Sequence, residues 1–113
     1  MRIVNCTKHD VTFANNGIAA ILPKSGIVAR VKMDPDVLCD IVKINGIDVP
    51  VYWTSSTGVV SGLPDPEQDT WYLVSLQVYN ACPNRHDLII THRSERNADN
   101  QITHCEAMAR PCR

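Results

Sequence analysis

The residues with the most chemistry to offer are Asn84, Arg85, His86 and Asp87, which place an amide, a guanidinium, an imidazole and a carboxylate side by side. They follow the apolar, aromatic run at 71–79. Polar groups gathered at the end of a core-forming segment are what a binding site requires: a rigid scaffold presenting a few convergent polar atoms. The same four residues also suit a polar turn between two buried elements, and both readings stand at this level. Nucleophilic catalysis would need a nucleophile, a base and an orienting group brought together. Cys82 lies near His86 and Asp87, and His9-Asp10 is a second His–Asp pair. Sequence neighbours rarely orient one another as a triad demands, and no G-x-S-x-G, H-E-x-x-H or Q-A-C-type signature is present. The balance of the residues is against an enzyme.

A zinc site wants paired short ligand spacings, and there is no C-x-x-C. His104 and Cys105 are adjacent on a predicted strand, so they point to opposite faces. No metal or cofactor is expected. Pro23-Lys24-Ser25-Gly26 reads as an ordinary turn, or as a small anion nest with Lys24 or Arg30 close by. The aromatics Tyr52, Trp53, Trp71, Tyr72 and Tyr79 should mostly serve the core. Adjacent pairs such as Trp71-Tyr72, however, point one ring to each face of a strand. A ring left uncovered, with Arg30, Arg85 and the tail arginines, composes a nucleotide pocket: a surface for the base and guanidinium forks for phosphates.

The elements that must position these groups are short apolar runs separated by turn chemistry, a strand pattern. Strands are predicted at 2–6, 11–14, 18–22, 27–33, 38–44, 47–53, 59–61, 71–74, 88–91 and 102–109. Asn15-Asn16-Gly17 and Asn45-Gly46 mark hairpins, because Asn and Gly tolerate positive φ. Pro50 inside a strand places it at an edge or a bulge. The stretch 75–82 reads as strand passing into a helical turn, and 93–101 as a polar connection. The expected architecture is mainly β, with α+β the alternative: a single compact domain over 1–113, roughly seven or eight short strands, and at most one or two short helical segments. Strand edges left open make a homo-oligomer the expected assembly.

Composition narrows the partners. With 113 residues, 44% apolar and 20% charged, the chain fits one globular domain. A net charge of −1 argues against duplex nucleic acid, whose binders carry a basic face. No segment approaches the ~20 apolar residues of a membrane-spanning helix, so no membrane partner is expected. The N-terminus lacks the apolar run of a signal peptide, and the five cysteines are odd in number and widely spaced. Reduced thiols in a cytoplasmic protein are the expectation.

Several motifs run along most of the chain. They are Asn5-Cys6-Thr7-Lys8-His9, Pro23-Lys24-Ser25-Gly26-Ile27-Val28-Ala29-Arg30-Val31, Val49-Pro50-Val51, Gly62-Leu63-Pro64-Asp65-Pro66, Tyr72-Leu73-Val74-Ser75, Arg85-x-Asp87-Leu88 and a last strand carrying Cys105. In these it resembles a family of small single-domain phage and prophage proteins, similar to the Thoeris-type anti-defence proteins. It departs from that pattern at Cys6, where another apolar residue is usual, and at Lys8, where proline is usual. It also lacks the glycine-rich turn around Asp99-Asn100-Gln101. The resemblance implies a sponge that binds a cyclic ADP-ribose isomer, or a cyclic oligonucleotide, without cleaving it. It also implies an oligomer with ligands near subunit interfaces, in the host cytoplasm.

Together these readings assign a small anionic nucleotide ligand. Trp71 or Tyr72 would stack on its base, and Arg30, Arg85 and Arg110 would meet phosphate. Ser75, Asn84 and Asp87 would recognise ribose or base, Asp87 alternatively bracing Arg85. Two other classes are carried alongside: a small enzyme degrading a nucleotide signal through His86 or His104, and a protein–protein inhibitor of a host factor using an exposed aromatic edge.

Overall fold

The computed structural model describes residues 1–112 and is mainly β, as the patterning predicts. In chain order the elements are β1 (Arg2–Asn5), β2 (Val11–Asn15), β3 (Ile18–Leu22), β4 (Arg30–Met33), β5 (Val37–Ile44), β6 (Ile47–Trp53), β7 (Ser56–Ser61), β8 (Thr70–Leu73), α1 (Leu76–Ala81), β9 (Leu88–Arg96) and β10 (Ile102–Ala109). Six strands form one sheet in the order β1-β8-β9-β10-β2-β3, while β4-β7 and β5-β6 are separate two-stranded ribbons.

The β1-β8-β9 end of the large sheet is parallel. β8 pairs with β1 on one side and β9 on the other, aligning Val4 with Tyr72 and Tyr72 with Leu88. A strand covered on both faces reads as a continuous apolar run rather than an alternating one, and Trp71-Tyr72-Leu73 is such a run. Parallel neighbours need a crossover, which α1 supplies between β8 and β9. Its start is encoded by Ser75, an extended residue whose Oγ accepts the Val78 N–H at 3.3 Å. That cap ends the strand, so Leu76–Ala81 is helix, capped by Ser75 and Cys82, where the pattern predicted strand running into a helical turn. The inward face of α1 buries Val78 and Tyr79 against Val4, Cys6, Ala29, Tyr72, Val74 and Leu88.

The predicted polar connection at 93–101 is strand as far as Arg96 and a turn over 97–101. β9 continues to Arg96 and meets β10 in a long antiparallel pair. The turn between them is held by the Asn97 carboxamide, whose Oδ1 accepts the N–H groups of Asp99 and Gln101 at 3.0 Å each. Asn100 takes the positive φ that a glycine would otherwise supply. Among the described residues no helix is long and apolar enough to cross a membrane.

Asn5, at the end of β1, is 1% exposed and fully bonded. Its amide donates to the carbonyls of His9 at 2.9 Å and Leu22 at 3.1 Å. Its Oδ1 accepts the Thr7 N–H at 3.0 Å and the Thr7 hydroxyl at 2.6 Å. One buried carboxamide thereby fixes the loop Thr7-Lys8-His9 against the carboxyl end of β1. A second close approach comes at Gly62, where φ is +80° and an added Cβ would collide with the Val28 carbonyl oxygen. This locks the chain just before β4 against the end of β7.

Candidate functional site

β8 separates the nominated residues into two groups. Ser75 follows its carboxyl end and Trp71 lies near its amino end, so the two cannot serve one small site. Tyr72 lies between them, 2% exposed, with its hydroxyl donating to the Asp65 carbonyl at 3.0 Å. Its ring is core, and burial together with the nearby carboxylates of Glu67 and Asp87 pushes its hydroxyl pKa up. The stacking role considered for Tyr72 has no open ring face to use.

At the amino end of β8, Arg85 and Asp87 face each other. Arg85 Nε and Nη2 donate to the two Asp87 carboxylate oxygens at 2.8 Å each, and Nη2 also reaches the Pro64 carbonyl at 2.9 Å. The bond to Arg85 holds the Asp87 carboxyl below the ordinary range despite partial burial, and raises the guanidinium in return. This is the brace considered as the alternative for Asp87. It pins the Pro64 loop and the start of β9 to each other, with Tyr72 beneath the guanidinium at 5.9 Å. Arg110 lies over the Trp71 ring at 4.7 Å and donates to the His86 carbonyl at 2.8 Å. A cavity of about 330 Å³ opens between Arg85, His86, Arg110 and Pro111. Asn84 is exposed and lines a neighbouring hollow with Trp71 and Asp87.

The carboxyl end of β8 is built differently. The ends of β1 and β8 lie side by side, with Ser75 opening α1 and the Asn5-fixed loop opposite. Crevices outside the carboxyl ends of parallel strands, where the chain departs in different directions, are the preferred ligand sites of such sheets. Two cavities share Thr7, His9 and Ser75 here. One, about 390 Å³, adds Lys8, Arg30 and Gln77. The other, about 580 Å³, adds Asp10, Thr12, Ser94, Thr103 and His104 over an apolar floor that includes Val74, Ile90 and Cys105. Arg30 enters β4 exposed, and among the described residues neither Arg30 nor Lys8 makes an ion pair.

Lys8, Thr7, His9 and Gln77 were not among the nominated residues. Thr7, Lys8 and His9 sat in the first quoted motif, but nothing local shows that β1 ends beside β8. The turn at Pro23-Lys24-Ser25-Gly26 receives an internal anion, since the Lys24 N–H donates to the Asp10 carboxylate at 2.9 Å. That carboxylate therefore points at the turn. Burial raises the Cys6 thiol, which favours its protonated form. Among the described residues no three of His, Cys, Asp and Glu converge as a metal-ligand set.

Comparison of the chain with protein-family models, with curated proteins and with solved structures finds no match.

Proposed function

We propose that the chain binds and sequesters a small anionic nucleotide, of the cyclic ADP-ribose or cyclic oligonucleotide kind, without cleaving it. This is the anti-defence role that the resemblance to phage proteins implies, and a homo-oligomeric state belongs to the same reading. The observation that carries it is the pair of cavities at the carboxyl ends of β1 and β8. They combine two cations without ion-pair partners among the described residues, Arg30 and Lys8, with the hydroxyls of Thr7 and Ser75. Their volumes fall in the range of small-molecule sites, roughly 300–1,000 Å³. Arg30 and Lys8 answer phosphate; Thr7, Ser75 and Gln77 answer ribose and base edges. Arg110 on Trp71 is a second cationic surface at the other end of β8.

The direct test mixes purified protein with a panel of cyclic nucleotides, then denatures it and analyses what is released. Intact nucleotide is the expected result. Arg30→Ala should weaken binding about 10- to 100-fold, the loss of one charge-assisted contact, with no change in thermal midpoint. New products in the released fraction would instead favour a hydrolase, for which His9 and His104 both line the larger cavity. Absence of any bound nucleotide sinks both readings.

A further inference from the structure

Among the described residues nothing covers the apolar surface of the ribbon β5-β6. Ten of its large hydrophobic residues are exposed, Trp53 at 67% and Ile47 at 66% among them. Its register sorts them onto two faces. Cross-strand pairs Val37–Trp53, Asp40–Val51, Val42–Val49 and Ile44–Ile47 share one face; Leu38–Tyr52, Ile41–Pro50 and Lys43–Asp48 share the other. The first face is an aliphatic ladder ending in Trp53, interrupted by one carboxylate. A lone two-stranded ribbon is marginal in water, and a continuous apolar face of this length marks a contact surface.

The chain is also more extended than a compact domain of its length. Its radius of gyration is 17.4 Å, against roughly 13 Å for a compact domain of this length. Its accessible surface is 8183 Å², against roughly 6,200 Å² for a folded monomer of this mass. The excess, about 2,000 Å² per chain, is larger than the roughly 800 Å² per partner of a standard-size interface, so docking one face of the ribbon on a second copy would account for part of it. Homodimer interfaces are more apolar than the surface at large, and the ladder has that composition. Edge-to-edge pairing is disfavoured at the middle of the ribbon. Pro50 offers β6 no N–H donor there, and the opposite Ile41 N–H is already bound by the Asp40 carboxylate at 2.7 Å. That favours a contact through the face.

We infer that this ribbon docks onto a second copy of the same chain, each copy burying the Val42–Val49 face of the other in a two-fold dimer. The inference rests on the self-association in the functional reading above and is independent of the ligand. It is tested by measuring mass in solution by light scattering, with Val49→Lys as the variant. In the single chain an added ammonium at 49 stays in water; only an assembled face excludes it. Wild type should run at twice the 12.6 kDa chain mass, and V49K at the chain mass with an unchanged circular dichroism spectrum. Lys43→Gln, on the other face, should leave the dimer intact. A wild-type chain that stays monomeric at roughly 100 µM overturns the inference and makes a foreign protein the occupant. An assembly that V49K leaves intact overturns it too. Should V49K fail to fold, amide exchange of the wild-type assembly decides: slowed exchange at 37–53 on concentration supports the inference, and unprotected amides there refute it. A dimer that releases no nucleotide counts against the ligand reading alone, whereas a monomer that releases it counts against the dimer alone.

Discussion

Removing Arg85 should damage the fold. Its guanidinium makes two bonds to Asp87 and one to the Pro64 carbonyl, and the two side chains are only 22% and 15% exposed. That exposure places the pair between surface ion pairs, worth about 0–1 kcal/mol, and fully buried ones, whose breaking costs about 3–5 kcal/mol. Arg85→Ala leaves the Asp87 carboxylate half-desolvated and the Pro64 carbonyl short of a donor, for an expected loss of about 2–3 kcal/mol. For a chain of this length 1 kcal/mol corresponds to about 4 °C, so the thermal midpoint should fall by about 8–12 °C.

The decisive measurement is a double-mutant cycle with Asp87→Ala, by denaturant unfolding at one fixed protein concentration. The double variant should cost less than the sum of the singles by about 1.5–2.5 kcal/mol. Acid provides an independent reading. The folded-state pKa of Asp87 is depressed, so its contribution is complete above the ordinary carboxylate value and is lost as pH falls through the folded one. The raised Arg85 value leaves that partner charged throughout this window. Asp87→Asn should therefore flatten part of the acid limb of the stability profile. Additive single variants, within about 0.5 kcal/mol, together with an unchanged acid limb, would refute the brace.

Gly62→Ala should be strongly destabilising, beyond about 3 kcal/mol, because positive φ and a collision with the Val28 carbonyl act together; Gly58→Ala, at φ +75° in open space, should cost about 1 kcal/mol. Thermal midpoints of the two variants check the contrast. Asn5→Leu, which keeps bulk but abandons four hydrogen bonds, should cost about 3 kcal/mol or more and release the 7–9 loop to rapid amide exchange.

Local chemistry made some of this fold readable. Asn16 and Gly17, like Asn45 and Gly46, carry paired positive φ values, so each hairpin is written in two residues. The run at 71–73 showed a buried strand. Its partners were not visible, because parallel pairing is decided by elements about 70 residues away and 15 residues on, joined through a crossover. The same gap divided the candidate site. Arg85 and Asp87 are close in sequence and meet; Arg30 and Ser75 are 45 apart and share a cavity only through β1, β4 and β8. Ser75 also gave the helix its start, yet one hydroxyl before an apolar run is equally a strand residue until tertiary packing favours the cap.

The three nominated arginines differ in what an anion must displace to reach them. Arg85 must leave a carboxylate that it binds with two bonds, at a cost comparable to what a phosphate contact returns. Arg110 must give up a carbonyl and a face of Trp71, a smaller loss that a stacked base could replace. Among the described residues Arg30 has no carboxylate to leave, and Lys8 lines the same cavity. Lys8 adds a second cation beside Arg30 at the carboxyl ends of β1 and β8. Charge that is already neutralised shapes the fold, and charge that is not remains open to a ligand; under the proposed nucleotide reading phosphate would meet Arg30 and Lys8, while Arg85 and Asp87 brace the opposite end of β8.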